Sequence, residues 1–366
     1  VSTNTSLRLR GRTQLLPLAD ALVMRLRAKV IRVQPFTEVE ERILHLLADG
    51  FSDLDRATAD WPDSERARAR ELTETLSEAR FLEEVRVSPL LLAEDAARFD
   101  RLLNYFSELE EEGTSRHERL RRMLDARVAV VGTGGMGSWL LYGLACCGVR
   151  NFVLVDADRV EPSNLNRSIL FGEHDIGRSK VDAAAEALLR FAPRADIRTV
   201  ARPVSGARDM VPIAGDVDMV VASADQPTWL IRQWLAEACR QTGRPLLHPS
   251  GLRVGPFYVP GRSACPMCEW AALALSTPAF PETVARMRRL PRGNSGGLAT
   301  VASLTASVAT GEVLRHLAGA GQPLTINGIW EWKPDGTAGV RPLPPQKTCP
   351  VCAGEGAATA EEDGAA

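Results

Sequence analysis

The chain has 366 residues, 45% hydrophobic and 25% charged, an ordinary soluble composition with room for two domains. Its 44 basic and 46 acidic residues leave a net charge of −2, which argues against a polyanion as main partner, because phosphate backbones demand a basic surface or patch. No apolar run reaches the ~18–20 residues of a membrane span, and the first residues lack a secretory pattern. The expectation is a cytoplasmic protein that binds neither nucleic acid nor membrane.

Residues 1–95 read as a separate module. Two short β-prone runs, 21–26 and 29–33, suggest a hairpin. Residues 38–48 follow with helical spacing (Val39, Ile43, Leu44, Leu47) closed by Gly50. A further helix is predicted over 63–76 and a return strand over 81–87. This is the outline of a winged helix. Its helices carry scattered Glu and Asp rather than a basic recognition face, so peptide binding by strand addition at the hairpin edge suits it better than DNA binding. A polar stretch, residues 108–119, reads as a solvated helix face or loop.

From there the pattern becomes α/β: strands over 128–131, 152–155, 197–201 and 219–222, helices over 137–148, 180–191 and 227–242. Such alternation implies a Rossmann-like, mostly parallel sheet covered on both faces. The segment A-V-V-G-T-G-G-M-G places Gly132, Gly134 and Gly137 as G-x-G-x-x-G directly after a strand and before a helix. Glycines permit a tight turn and close backbone approach, and the helix N-terminus offers N–H groups to phosphate. Asp156, ending the next strand, is placed to bond ribose hydroxyls. A nicotinamide enzyme would look the same up to this point.

The next residues differ. V-D-A-D-R-V-E-P-S-N-L-N-R brings Asn164 and Arg167, G-R-S-K brings Lys180, and V-V-A-S-A-D-Q puts Asp225 past a strand end. Only Lys29, Lys180, Lys333 and Lys347 are lysines, so Lys180 stands out in an arginine-rich chain. Positive charge beside a glycine turn offsets a triphosphate, and Asp225 could hold a bridging Mg2+. Taken one at a time, Asp156 could cap a turn, Arg167 and Lys180 could be surface charges, and Asp225 could cap a helix. The basic, glycine-bearing stretch 287–297 reads equally as a loop closing over ligand and as a plain crossover. His248, at a strand end, reads as structural, and His45 and His316 as core or boundary residues.

Seven cysteines are present. Cys265 with Cys268 and Cys349 with Cys352 form two C-x-x-C pairs, which in a reducing compartment read as a four-thiolate structural zinc site more readily than as a redox pair. No open coordination position would remain for catalysis. Cys146, Cys147 and Cys239 read as small buried hydrophobes on helices. Residues 353–366 lack large apolar side chains and are expected to be disordered.

The string D-x-D-x-V-x-x-S-N-L-N-R, the spaced lysine, the S-A-D turn and the paired C-x-x-C motifs together resemble the ThiF/MoeB superfamily, relatives of ubiquitin-activating enzymes that adenylate carboxylates. The resemblance spans about 98–352. It implies that Gly135 lies against ATP, that Asp156 binds ribose, that Ser163, Asn164, Arg167 and Lys180 line the phosphate side, and that Asp225 serves metal and adenylate. It also implies a homodimer in which an arginine reaches the neighbouring site; Arg101, in Arg98-Phe99-Asp100-Arg101-Leu102, is the nearest match, although Phe99 and Leu102 depart from the family pattern. No cysteine outside the zinc set reads as a thioester nucleophile. An N-terminal winged-helix module (1–95) ahead of a ThiF-like body (96–352) resembles enzymes of ribosomally made, modified peptides, where such a module grips the leader of a precursor peptide. The implied activity is ATP-dependent adenylation of a carboxylate on that peptide. The alternatives are a non-catalytic leader-binding partner of a cyclodehydratase and an activator of a ubiquitin-like sulfur carrier.

Overall fold

The hairpin predicted near the N-terminus carries more strands than its sequence reveals. The computed structural model describes residues 5–26, 28–86, 89–109, 114–277, 279–289, 296–333 and 335–353. Strands β1 (Thr5–Leu9), β2 (Gln14–Pro17), β3 (Leu22–Leu26) and β4 (Lys29–Val33) open the chain. Strands β2, β3 and β4 form one antiparallel sheet in that order, with Leu22 opposite Val33 and Leu26 opposite Lys29. Leu22, Met24 and Leu26 alternate inward along β3, the period of a half-buried strand. Every residue of β2 is exposed, so no apolar alternation announces it.

Helix α1 (Glu38–Asp49) starts at a capping box: the Thr37 hydroxyl accepts from the Val39 N–H at 3.2 Å, and the Glu40 carboxylate accepts from the Thr37 N–H at 2.9 Å. Short α2 (Leu54–Ala57) and longer α3 (Asp63–Glu78) follow. Met24, Ile43, Leu47, Leu76 and Phe81 bury almost completely between sheet and helices. The return strand β5 (Leu82–Arg86) pairs with β1 rather than with the hairpin, Leu9 opposite Leu82. Helices α4 (Ala93–Arg98) and α5 (Asp100–Ser107) complete this unit, which reaches His117. His45 is exposed on α1 and not, as expected, a core or boundary residue; it lies on the side turned away from Ile43, Leu44 and Leu47.

The polar stretch 108–119 is also more structured than its composition suggests. Residues 110–113 fall outside the described residues, and α6 (Arg116–Asp125) begins within the stretch. Arg116 and Arg119 are each only 5% exposed. Arg116 meets Glu83 at 3.0 Å, while Arg119 donates to the carbonyls of Ala318 and Gly319. Two of the charges read as solvated are therefore buried and paired, as buried charges must be.

The second unit begins at Glu118. Its elements are β6 (Arg127–Val131), α7 (Gly135–Cys146), β7 (Asn151–Val155), α8 (Lys180–Phe191), β8 (Asp196–Val200), α9 (Ala207–Gly215), β9 (Met219–Ala222), α10 (Leu230–Thr242), β10 (Leu246–Ser250) and β11 (Arg253–Tyr258). Then come α11 (Pro266–Ser276), α12 (Phe280–Met287), α13 (Ala299–Leu317), β12 (Gly328–Trp332) and β13 (Ala338–Pro342). The eight strands form one sheet in the order β13-β12-β11-β10-β9-β6-β7-β8. Strands β10, β9, β6, β7 and β8 run parallel, and β11 to β13 extend the sheet antiparallel. Strand β9 is buried throughout, as are four of the five residues of β6 and of β7, the mark of strands covered on both faces. Residues 354–366, expected to be disordered, lie outside the described residues. No described helix is long and apolar enough to cross a membrane.

Candidate active site

The glycine turn joins β6 to α7 and is built by close backbone approach. Gly132 has φ +89, and its N–H donates to the Val155 carbonyl at 2.8 Å. A Cβ on Gly137 would lie 2.0 Å from the Gly132 carbonyl oxygen, so helix and turn meet only because that atom is absent. Ser223, just past β9, anchors the same turn by donating its hydroxyl to the Gly132 carbonyl at 2.5 Å. Gly134 caps α7 with no side-chain acceptor and no acidic residue in the first helical turn. That leaves the positive end of the helix uncompensated by side chains.

Asp156 leaves β7 beside this turn. Its Oδ2 accepts from the Thr133 N–H at 2.7 Å and its Oδ1 from the Asp158 N–H at 2.9 Å. It therefore braces the turn from the neighbouring strand. Asn164 is buried, and its Oδ1 accepts from the Glu161 N–H at 3.0 Å, which fixes the short helical turn 162–164. Ser163 is exposed, and its carbonyl accepts from the Arg167 guanidinium. The Arg167 side chain lies beside both Gly135 and Gly297, so the stretch 287–297 reaches the glycine turn at its C-terminal end. Residues 290–295 of that stretch lie outside the described residues.

Lys180 opens α8 and is only 9% exposed. Its Nζ donates to Asp158 Oδ2 at 2.8 Å. Sequence reasoning passed over Asp158, whose only signal was its place as the second acid of D-A-D. Asp225 lies three residues beyond β9, exposed, and its carboxylate accepts no hydrogen bond among the described residues. It faces the same ends of the parallel strands as the glycine turn, where open α/β sheets bind ligands. Arg101 lies on α5 of the N-terminal unit with 93% of its side chain exposed and Asp100 at 3.9 Å.

A second set of polar groups gathers near Asp225, of which only His248 stood out in the sequence. Arg232 on α10 is held over the Trp229 ring at 4.5 Å, with Ser250 Oγ and Glu269 Oε2 both at 3.5 Å. Burial holds its guanidinium below the usual arginine range; Glu269 and Asp225 oppose this and Arg253 reinforces it. His248 is 3% exposed and its Nδ1 lies 2.8 Å from the Ala222 carbonyl. Burial, with Arg232 and Arg253 nearby, drives its pKa well below the ordinary value despite the Ala222 bond. His248, read from sequence as structural, is thereby tied to the last residue of β9. His316 packs its ring against Phe257 at 5.0 Å and its pKa is lowered by burial.

The two C-x-x-C pairs meet. Cys265, Cys268, Cys349 and Cys352 are all buried, and their sulfurs lie within 4.8 Å of one another. Cys265 to Cys349 and Cys268 to Cys352 are each 3.4 Å. A tetrahedral ion with sulfur bonds of about 2.3 Å sets its sulfurs about 3.8 Å apart, so the set fits a metal. Hydrogen bonds with Cys265 and Cys268 draw the Cys349 thiol down to about 7, whereas those with its neighbours push Cys265 up. Among the other cysteines, Cys239 is buried and Cys147 half-buried, their thiols pushed by burial up to about 12 and about 11. Cys146 is exposed and corrects the expectation of a buried hydrophobe: it is the last residue of α7, one position past the buried Leu144 and Ala145.

Comparison with known proteins places this geometry. The ThiF family model matches residues 99–351, and the chain belongs to that family, the ATP-dependent adenylyltransferases of the ThiF/MoeB type. A SAMP-activating enzyme E1 from Haloferax volcanii is 29% identical over 75% of this chain and 96% of its own length. The adenylyltransferase and sulfurtransferase MOCS3 of Mus musculus is 35% identical over 65% of this chain. The match covers 49% of that protein, so the chain spans about half the length of such relatives. Among solved structures, E. coli MccB with ATP aligns at TM-score 0.69 and 20% identity, covering 95% of this chain and 99% of its own. SeMet PaaA aligns at TM-score 0.70 and 19% identity over 90% of this chain and 98% of its own. These structures share the fold.

Proposed function

We propose that the chain adenylates a carboxylate of a ribosomally made precursor peptide, held through its leader by the N-terminal unit. One observation carries this reading. The family match starts at residue 99, whereas the likeness to MccB covers 95% of the chain and so takes in most of the N-terminal unit. MccB structures include complexes with ATP and with N-formylated MccA. In the proposed division, residues 1–95 recognise the leader through an edge of the β2-β3-β4 sheet, and residues 96–352 carry out the chemistry.

The carboxylate attacks the α-phosphorus of ATP and pyrophosphate leaves. Gly132, Gly134, Gly135 and Gly137 with the start of α7 cradle phosphate, Asp156 holds ribose, and Ser163, Asn164, Arg167 and Lys180 line the phosphate side. Lys180 is kept in place by Asp158 and exchanges that partner for phosphate oxygen. Asp225, whose carboxylate accepts no hydrogen bond among the described residues, is the residue to hold Mg2+; when bound, the ion would neutralise phosphate charge. Zn2+ at Cys265, Cys268, Cys349 and Cys352 ties residues 349–352 to α11 and leaves no open position. Arg101 acts across a homodimer.

The test is ATP–pyrophosphate exchange with precursor peptides encoded beside the chain. Exchange that requires an intact leader supports the reading. A specific observation favours a second reading: the SAMP-activating and MOCS3 relatives point to activation of a ubiquitin-like carrier. Exchange with a carrier ending in Gly-Gly, and none with peptides, would replace the first reading by the second.

A further inference from the structure

In the Arg232 cluster three guanidiniums, Arg232, Arg253 and Arg341, share two bonded carboxylates, Glu269 and Glu331, and Asp225 acts on Arg232 only through space. Glu331 takes Arg253 and Arg341, each at 3.1 Å. Glu269 takes Arg341 at 3.0 Å and Arg253 in a still closer contact. Among the described residues Arg232 is left with two contacts of 3.5 Å and the Trp229 ring, although only 17% of its side chain is exposed. A contact of 3.5 Å lies at the outer limit of hydrogen bonding. A buried guanidinium so weakly bonded is a vacancy for an anion.

His248 supplies the second, independent observation. The Ala222 carbonyl can only accept, so Nδ1 carries the proton and Nε2 is a bare acceptor. That Nε2 is buried and meets no donor among the described residues. The two vacancies are of opposite kind, one donating to an anion and one accepting from an N–H. Both sit at the C-terminal ends of parallel strands: Ala222 ends β9 three residues before Asp225, and Ser250, which Arg232 touches, ends β10.

We propose that Arg232 and His248 form the acyl-side positioning site of the reaction: the guanidinium takes the carboxylate of the peptide residue to be activated, and Nε2 takes that residue's amide N–H. This rests on the adenylation reading above. A C-terminal peptide residue presents one N–H and one carboxylate on either side of a single Cα, which matches the pair of vacancies. A phosphate of ATP would satisfy Arg232 and leave Nε2 bare. Arg232, anchored by two long contacts, is free to swing onto the carboxylate, and the carboxylate is thereby held beside Asp225, where the nucleotide is expected. Both residues position the substrate and neither forms or breaks a bond.

The test uses the full chain with 15N-labelled histidine, following the His248 Nε2 resonance, assigned by its disappearance in His248→Asn. Three probes are added in turn: N-acetylglycine, N-acetylsarcosine, which keeps the carboxylate but has no amide N–H, and inorganic phosphate. N-acetylglycine is expected to move the Nε2 resonance, the other two to leave it in place. No movement with N-acetylglycine, or equal movement with N-acetylsarcosine or phosphate, overturns the proposal. In peptide-dependent exchange, Arg232→Gln should raise the peptide KM more than tenfold with the ATP KM unchanged, and Arg232→Lys should recover part of the loss. If the unaltered chain exchanges no peptide yet N-acetylglycine still moves Nε2, the peptide reading fails and the acyl site stands. If exchange proceeds and both Arg232 variants keep the original peptide KM, the acyl site fails and the peptide reading stands.

Discussion

Two alanine substitutions in the glycine turn should separate what holds the fold from what admits the nucleotide. In Gly137→Ala the new Cβ would fall 2.0 Å from the Gly132 carbonyl oxygen and 2.9 Å from Ser223 Oγ. The first obstacle is backbone in the turn itself, so the strain is relieved only by moving turn and helix apart. Overpacking of this kind costs about 1–3 kcal/mol, while replacing glycine in a helix returns up to about 1 kcal/mol. A net loss near 2 kcal/mol lowers Tm by roughly 4–8 °C, at about 2–4 °C per kcal/mol for a domain of this size. In Gly134→Ala the Cβ meets no atom within 4 Å, so Tm should move by no more than about 2 °C. If phosphates lie against the turn, however, that methyl group occupies their space, and a steric cost of about 1.4–2.8 kcal/mol weakens nucleotide binding roughly 10- to 100-fold. Thermal melts and calorimetric titration with a non-hydrolysable ATP analogue measure the two effects separately. Unchanged nucleotide affinity in Gly134→Ala would sink the assignment of this turn as a phosphate cradle. An unchanged Tm in Gly137→Ala would mean that the close approach does not constrain the fold.

Lys180→Ala should lower exchange by about 10²–10³-fold, the usual loss when one transition-state donor is removed. Asp158→Asn should lower it less and leave Tm nearly unchanged, since Asp158 is 70% exposed in its side chain; equal activity of Lys180→Ala and the unaltered chain would contradict the phosphate role. One equivalent of zinc per chain is expected by elemental analysis, and its removal by a strong chelator should lower Tm and open the segment around Cys349 and Cys352 to proteolysis. A chelator-treated chain with the same Tm and the same cleavage pattern would refute a structural metal. His248 is held neutral by burial, its pKa well below 6.5. The unfolded chain therefore binds the extra proton first, so this contribution to stability is present above about pH 6.5 and fades as pH falls through that value toward the folded-state pKa. Melts at saturating zinc between pH 7.5 and 5.5 should show the loss, and His248→Asn should remove that part of the slope.

What the sequence disclosed and what it withheld follow one physical division. The core of the second unit was legible because β6, β7 and β9 are continuous apolar runs and Gly132 and Gly137 are forced by backbone contact. The cysteine pairs were legible because metal chemistry needs those side chains at that spacing, wherever the chain between them runs. Strand β2 left no trace, since all its residues are exposed, and neither did β13, exposed likewise; such strands are held by ladder hydrogen bonds that any side chain permits. Arg116 and Arg119 looked solvated because composition reports charge and not the partner that permits its burial. The same limit hid Asp158 and Arg232. Lys180 was conspicuous as a rare lysine, but the acid that positions it was one of 46 acidic residues, and Arg232 one of many arginines. A motif marks the groups proposed to meet the nucleotide because every nucleoside triphosphate presents the same phosphates. The groups proposed to meet the acyl donor would answer to one particular substrate, so they appear only when folding brings β9, α10 and β10 together and leaves Arg232 short of acceptors and His248 short of a donor among the described residues.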